Sequence, residues 1–110
     1  MIKLTVVLQA KEGTSREDAL RYWRDVHGPL AAKLPHIKRY VQNHCFEGAM
    51  GATAPPMLGV AEAWWETREQ AEEAMQSDAF TEAFADAGEF LDMSDFVGGW
   101  CTEHEPMTAR

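Results

Sequence analysis

Polar and apolar residues alternate at the start of the chain, where Ile2, Leu4, Val6 and Leu8 are separated by single residues. A period of two is typical of a β-strand, because successive side chains of a strand point to opposite faces. Three later stretches carry apolar and aromatic residues in alternating sets. The predicted strands cover residues 2–9, 36–46, 57–66 and 95–103.

Between these strands, apolar residues recur at helical spacing. Ser15 with Asp18 resembles a helix N-cap, and Thr67 with Gln70 matches the capping-box pattern. Ser77 opens a further helical segment, which ends at a glycine. The predicted helices run from Arg16 to about Val26 with a short extension from Pro29 to Leu34, then from residue 68 to about Gln76, and from residue 78 to about Ala87.

The resulting order, β-α-β-β-α-β, predicts an α+β protein with a ferredoxin-like fold. In that fold both helical segments cover one face of a four-stranded antiparallel sheet. In a monomer the other face of the sheet would be exposed to solvent, yet Val7 and apolar residues of the later strands lie on it. We therefore expect the second face to be buried against another copy of the chain in a two-fold homodimer.

Length and charge narrow the class of protein. The chain of 110 residues suits one domain, residues 1–110, whose tail from about residue 105 is expected to fray. The formal net charge of -8, with no cluster of Lys or Arg, argues against nucleic acid as a partner. No apolar run approaches the roughly 20 residues that cross a bilayer, and the first residues lack the features of a signal peptide. These observations predict a cytoplasmic protein without a membrane partner.

The cysteines and histidines do not predict a metal site. Cys45 and Cys101 lie far apart and match neither a metal-binding nor a redox spacing. The four histidines include no pair at the i, i+4 spacing of helical metal ligands. A haem held by one histidine is compatible with the spacing, although no residue pattern points to one. The sequence therefore favours a protein that works without a cofactor.

A histidine lies where the first helix meets a proline. Pro29 lacks an amide hydrogen and its ring would collide with the carbonyl of Asp25, so the helix is expected to kink or restart there. His27 shares the apolar stripe of this helix with Trp23, whereas Tyr22 is expected on the opposite side. Two interpretations of His27 stay open: it satisfies the last carbonyls of the helix, or it is an acid/base group on the wall of a pocket.

Three motifs and a helical block at residues 77–92 carry a family resemblance. The motifs are Tyr22-Trp23-Arg24-x-x-His27-Gly28-Pro29-Leu30-Ala31, Lys38-Arg39-Tyr40-Val41-Gln42-Asn43-His44 and Ala61-Glu62-Ala63-Trp64-Trp65. Together they resemble the EthD family. The resemblance implies a dimeric α+β barrel, in which two ferredoxin-like subunits pack sheet to sheet and each keeps a pocket between its own sheet and helices. The wider superfamily includes isomerases, cyclases, cofactor-free monooxygenases and haem-dependent enzymes, so it indicates the fold better than the reaction.

The resemblance also implies that His27 and Tyr40 form the catalytic pair. A histidine can take and return a proton next to a carbonyl, and a tyrosine hydroxyl can hydrogen-bond the oxyanion that develops. Glu62 has a structural alternative, since it could pair with Arg39 or Lys38. The residues predicted to contact a substrate are Trp23, Gln42, His44, Glu62, Trp64, Phe84 and Phe96.

Three functions are compatible with these residues. The leading one is a cofactor-independent enzyme of the isomerase, cyclase or lyase type, acting on a hydrophobic or aromatic carbonyl or lactone compound with His27 as general acid/base. The second is a cofactor-free monooxygenase that acts on a phenolic substrate. The third is a ligand-binding accessory protein of an oxidative degradation pathway, which would bind its ligand without turnover.

Overall fold

The computed structural model describes residues 1–94 and 97–109, and within them four strands form an antiparallel sheet. The strands are β1 (Ile2–Leu8), β2 (Arg39–His44), β3 (Gly59–Trp65) and β4 (Val97–Cys101). Their order across the sheet is β2-β3-β1-β4, with β1 at the centre between β3 and β4. The predicted ferredoxin-like α+β fold is confirmed.

Three of the helices begin at the residues that the sequence predicts. The side-chain oxygens of Ser15, Thr67 and Ser77 each accept a hydrogen bond from the amide three residues later, which satisfies one free N–H at each helix start. The helices are α1 (Arg16–Tyr22), α2 (Gly28–Ala31), α3 (Arg68–Met75) and α4 (Asp78–Ala87).

Between α1 and α2, residues Trp23–His27 form a π-helical turn. The predicted boundaries are therefore wrong: the α-helix ends at Tyr22 rather than near Val26, and the helical path continues through Gly28 to Ala31 instead of resuming from Pro29 to Leu34. The amide of Gly28 donates to the carbonyl of Trp23, five residues earlier. This wider turn changes the position of the carbonyls that would meet the ring of Pro29 in an α-helix, so the chain continues instead of breaking.

Strand β2 is shorter than the predicted 36–46. His36 has a φ of 61°, which an extended strand does not allow, so regular pairing starts three residues later. Strand β3 likewise begins at Gly59 rather than residue 57. The first two positions of the predicted fourth strand, Asp95 and Phe96, lie outside the described residues.

The core lies between the helices and one face of the sheet. In β1, the even-numbered residues face the helices, and the register pairs Val6 with Ala61 of β3 on that side. Trp23 is fully buried and packs against Gly59, where a Cβ atom would approach the indole to within 2.6 Å. A glycine at this position therefore lets the π-helical turn approach the sheet closely.

Candidate functional site

A cavity of about 140 Å³ lies between the helix-facing side of the sheet and the helices. It opens beside Phe84 of α4, whose side chain is 52% exposed. Its wall is almost entirely apolar, and the polar residues that line it are His27, Tyr40 and Glu62. Its apolar and aromatic lining consists of Leu4, Val6, Leu8, Trp23, Ala31, Leu34, Ala61, Ala63, Trp65, Met75, Phe80, Ala83, Phe84, Ala87 and Leu91.

His27 lies at the end of the π-helical turn, and its side chain is only 13% exposed. Its Nδ1 is 3.0 Å from Oδ2 of Asp86 on α4. A carboxylate only accepts, so Nδ1 carries the proton and donates it, which leaves Nε2 with a free lone pair when the ring is neutral. Nε2 has no hydrogen-bond partner within residues 1–94 and 97–109. The imidazole is therefore held in the tautomer that can accept a proton at Nε2.

Tyr22 completes this group, contrary to the sequence prediction that placed it on the far side of the helix. Its hydroxyl donates to Oδ1 of Asp86 at 2.6 Å. This hydrogen bond, together with burial, raises the pKa of Tyr22 to about 12, so the phenol stays neutral near pH 7 and acts as a donor. In a π-helical turn, residues five apart come onto one side, which brings Tyr22 and His27 to the same carboxylate.

Asp86 was missed by the sequence analysis. It lies on α4 between Ala83 and Ala87, both of which line the cavity, so a carboxylate close to an apolar stripe was the available signal. Its two oxygens are both occupied, one by His27 and one by Tyr22.

Tyr40 lies on β2 and faces the helices, as the resemblance implies. Its hydroxyl oxygen accepts two hydrogen bonds, from Nε1 of Trp23 at 3.1 Å and from Nε2 of Gln42 at 3.2 Å. Burial raises the pKa of Tyr40 above its ordinary value, and the two accepted hydrogen bonds oppose this shift only in part. The phenol is thus neutral near pH 7 and keeps a proton to donate.

Gln42 and His44 share the face of Tyr40, as predicted, but neither lines the cavity. Gln42 donates from Nε2 to the carbonyl of Trp23 at 3.0 Å, and its Oε1 accepts from Nε2 of His44 at 2.8 Å. The ring of His44 stacks on Trp23 with centroids 4.7 Å apart. Burial, followed by the charge of Arg24, lowers the pKa of His44. Both residues thus support Tyr40 and Trp23 from behind the cavity wall.

The side chains of Glu62 and Trp64, both predicted to contact a substrate, do not point toward Tyr40, although Glu62 is among the residues that line the cavity. The register pairs Tyr40 with Ala63, so Glu62 and Trp64 project from the other face of the sheet. There the Glu62 carboxylate accepts from Lys3 at 2.7 Å, and Lys3 lies over the ring of Trp64. Hydrogen bonds from Lys3 and Asn43 lower the pKa of Glu62.

The three remaining predicted contacts have different outcomes. Trp23 and Phe84 line the cavity, whereas Phe96 lies outside the described residues. In the part of the chain that the structure describes, no cluster of three or more His, Cys, Asp or Glu side chains could hold a metal ion. None of the helices described is long and apolar enough to span a bilayer.

Comparison with known proteins supports this fold. The chain is similar in structure to an ethyl tert-butyl ether D family protein from Bacillus halodurans, with a TM-score of 0.79 and 19% sequence identity over 94% of this chain and 99% of that one. A dimeric ferredoxin-like protein of unknown function from Thermobifida fusca gives a TM-score of 0.70 at 15% identity, over 93% and 90% of the two chains. SnoaB from Streptomyces nogalater, described as a cofactor-independent oxygenase, gives 0.67 at 9% identity, over 98% and 97%.

The family is established by the sequence itself. No curated protein sequence matches the chain. The model of the EthD domain, in contrast, matches residues 11–94, a range that includes α1, the π-helical turn, β2, β3 and both later helices. This chain belongs to the EthD family.

Proposed function

We propose that the protein is a cofactor-independent enzyme that moves a proton next to the carbonyl of a hydrophobic ring compound, as an isomerase, cyclase or lyase does. One observation carries the proposal: a histidine in its accepting tautomer and a tyrosine with a proton to donate line the same apolar cavity. Such a site provides a base and an oxyanion partner without a metal or cofactor.

The chemistry needs two coupled steps. His27 Nε2 takes a proton from the carbon next to the carbonyl, and the electron pair moves onto the carbonyl oxygen, where the Tyr40 hydroxyl donates a hydrogen bond. Asp86 accepts from Nδ1 and stabilises the imidazolium that forms. Return of the proton to a different carbon gives an isomer, and departure of a group β to the carbonyl gives an unsaturated product.

A cofactor-free oxygenase is the second candidate. The fold likeness to SnoaB supports it, because SnoaB is described as a cofactor-independent oxygenase. His27 would again act as the base, here taking the proton of a phenolic hydroxyl. Molecular oxygen, the oxidant, would then add at a ring carbon of the anion to give a hydroperoxide, and loss of water would leave a quinone.

Conversion of ring compounds with and without oxygen distinguishes these functions. We expect a panel of single-ring ketones, lactones and phenols to include one that is converted beyond one equivalent per subunit in anaerobic buffer, as judged by chromatography and mass spectrometry. Conversion only in the presence of oxygen, with isotope-labelled oxygen in the product, would replace the isomerase by the oxygenase. Saturation at one equivalent with no product would instead identify a binding protein.

We also propose that the second sheet face forms a homodimer interface. Val97 on this face is 56% exposed, and the hydroxyl of Thr5 is buried there with no hydrogen-bond partner among the described residues. The Thermobifida fusca protein with this fold is dimeric. Light scattering at micromolar concentration is expected to give twice the 12.3 kDa mass of the chain, and a monomeric mass would contradict the interface.

A further inference from the structure

We infer that the cavity selects an uncharged, single-ring compound whose carbonyl oxygen binds the Tyr40 hydroxyl, and that Gln42 is the positioning residue that keeps this hydroxyl directed at the ligand. The inference deepens the proposed function and rests on it for the identity of the site. It adds the size and charge of the ligand and the residue that enforces the choice.

Size limits the ligand. The cavity measures about 140 Å³, and a cavity of roughly 150 Å³ is known to hold one benzene ring. A fused polycyclic compound is larger than this volume, so its further rings would lie outside the cavity, against the stacked rings of Phe80 and Phe84. A single ring with one small substituent fits the space as it stands.

Charge limits the ligand further. No Lys or Arg is among the described residues that line the cavity. His27 is the one group of the described lining that can become a cation, and its charge would already be compensated by the Asp86 carboxylate, which lies 3.0 Å from Nδ1. A ligand carboxylate placed there would therefore lose its hydration without gaining an uncompensated cation, which costs far more free energy than burying a neutral carbonyl with a hydrogen bond. The net charge of -8 also repels anions from the protein as a whole. The ground-state ligand is therefore neutral.

Gln42 determines the direction in which the Tyr40 hydroxyl donates its hydrogen bond. The side-chain amide has one orientation, because its nitrogen donates to the carbonyl of Trp23 and its oxygen accepts from His44. The same nitrogen donates to the Tyr40 oxygen, as does the indole of Trp23. Two donors therefore face the Tyr40 oxygen, and no acceptor for the hydroxyl proton lies among the described residues. Because Tyr40 lines the cavity, we infer that this proton is donated to a ligand bound there.

Three compounds of nearly equal shape test the inference: acetophenone, its hydrocarbon isostere α-methylstyrene, and the benzoate anion. By calorimetry or ligand-observed NMR, we expect acetophenone to bind about three- to tenfold more tightly than α-methylstyrene, the gain of one hydrogen bond. Benzoate is expected to bind more weakly than either. Equal binding of acetophenone and α-methylstyrene, or tightest binding of benzoate, would overturn the inference.

Two variants distinguish the presence of the Tyr40 hydroxyl from the direction in which it donates. Gln42→Glu places an acceptor beside Tyr40, so the hydroxyl turns to it and the preference for acetophenone over α-methylstyrene is expected to disappear although the hydroxyl is still present. Tyr40→Phe should abolish the same preference and carries the test alone if Gln42→Glu does not fold. A Gln42→Glu protein that folds and keeps the preference would remove the positioning role, as would a retained preference in Tyr40→Phe.

The binding assay is independent of turnover. Selective binding of acetophenone without conversion of any ring compound would leave this inference standing and remove the proposed function. Conversion of a carboxylate-bearing substrate would support the proposed function and overturn this inference.

Discussion

His27→Gln is expected to lower kcat by about 10²- to 10⁴-fold on any ring compound that the protein converts, because the variant has no group that can take a proton at the position of Nε2. Glutamine is long enough for its amide nitrogen to donate to Asp86, as Nδ1 of His27 does. The loss should therefore fall on the chemical step and leave the fold largely intact. Steady-state kinetics together with thermal melting measure the two effects separately.

His36→Gln is the matched control for this variant. His36 also pairs with a carboxylate, Glu73, but its side chain is 40% exposed and does not line the cavity. The control should keep wild-type kcat. If the His27 variant also kept it, His27 would be a structural partner of Asp86 and not the base.

Asp86→Asn is expected to reduce kcat by a comparable factor, about 10²- to 10⁴-fold, through the tautomer of His27. The Tyr22 hydroxyl donates to one side of residue 86, so the asparagine oxygen takes that side and its amide nitrogen faces Nδ1 of His27. Nδ1 must then accept, and the ring proton moves to Nε2. A histidine in that form cannot act as the base.

The double variant Asp86→Asn with Tyr22→Phe provides a sharper test than either change alone. Without the tyrosine hydroxyl, the asparagine amide is free to turn its oxygen to Nδ1, so part of the lost activity should return. The ¹⁵N chemical shifts of the His27 ring report the tautomer directly and should change from Nδ1–H to Nε2–H in the single variant. Two results together would exclude this mechanism: a double variant no more active than Asp86→Asn, and ¹⁵N shifts of the His27 ring that are the same in Asp86→Asn as in the unaltered protein.

The strands and helix caps could be predicted from the sequence because each depends on local chemistry. The alternation of β1 depends only on neighbouring residues, and the strand forms as predicted. A helix cap depends on residues three apart, and the predicted caps are present at Ser15, Thr67 and Ser77. The side of β2 that carries Tyr40, Gln42 and His44 was also correct, since the period of a strand is fixed once one residue is placed.

The parts of the site that could not be predicted depend on long-range geometry. The direction of the Glu62 side chain could not be predicted, because the pairing of β2 with β3 decides which residue lies opposite Tyr40, and the two strands are joined by a long loop that does not fix the register. Tyr22 was dismissed because a helical wheel assumes α-geometry, whereas the π-helical turn brings it to the side of His27. Asp86 joins them only through the packing of α4.

Deuterium uptake at the methyl group of acetophenone, followed by ¹H NMR in D2O, detects proton removal next to a carbonyl without requiring the natural substrate. If His27 is the base, exchange is faster than in buffer, saturates with acetophenone, and returns to the buffer rate in the His27→Gln protein. Exchange at the buffer rate while acetophenone occupies the cavity of the unaltered protein would contradict it.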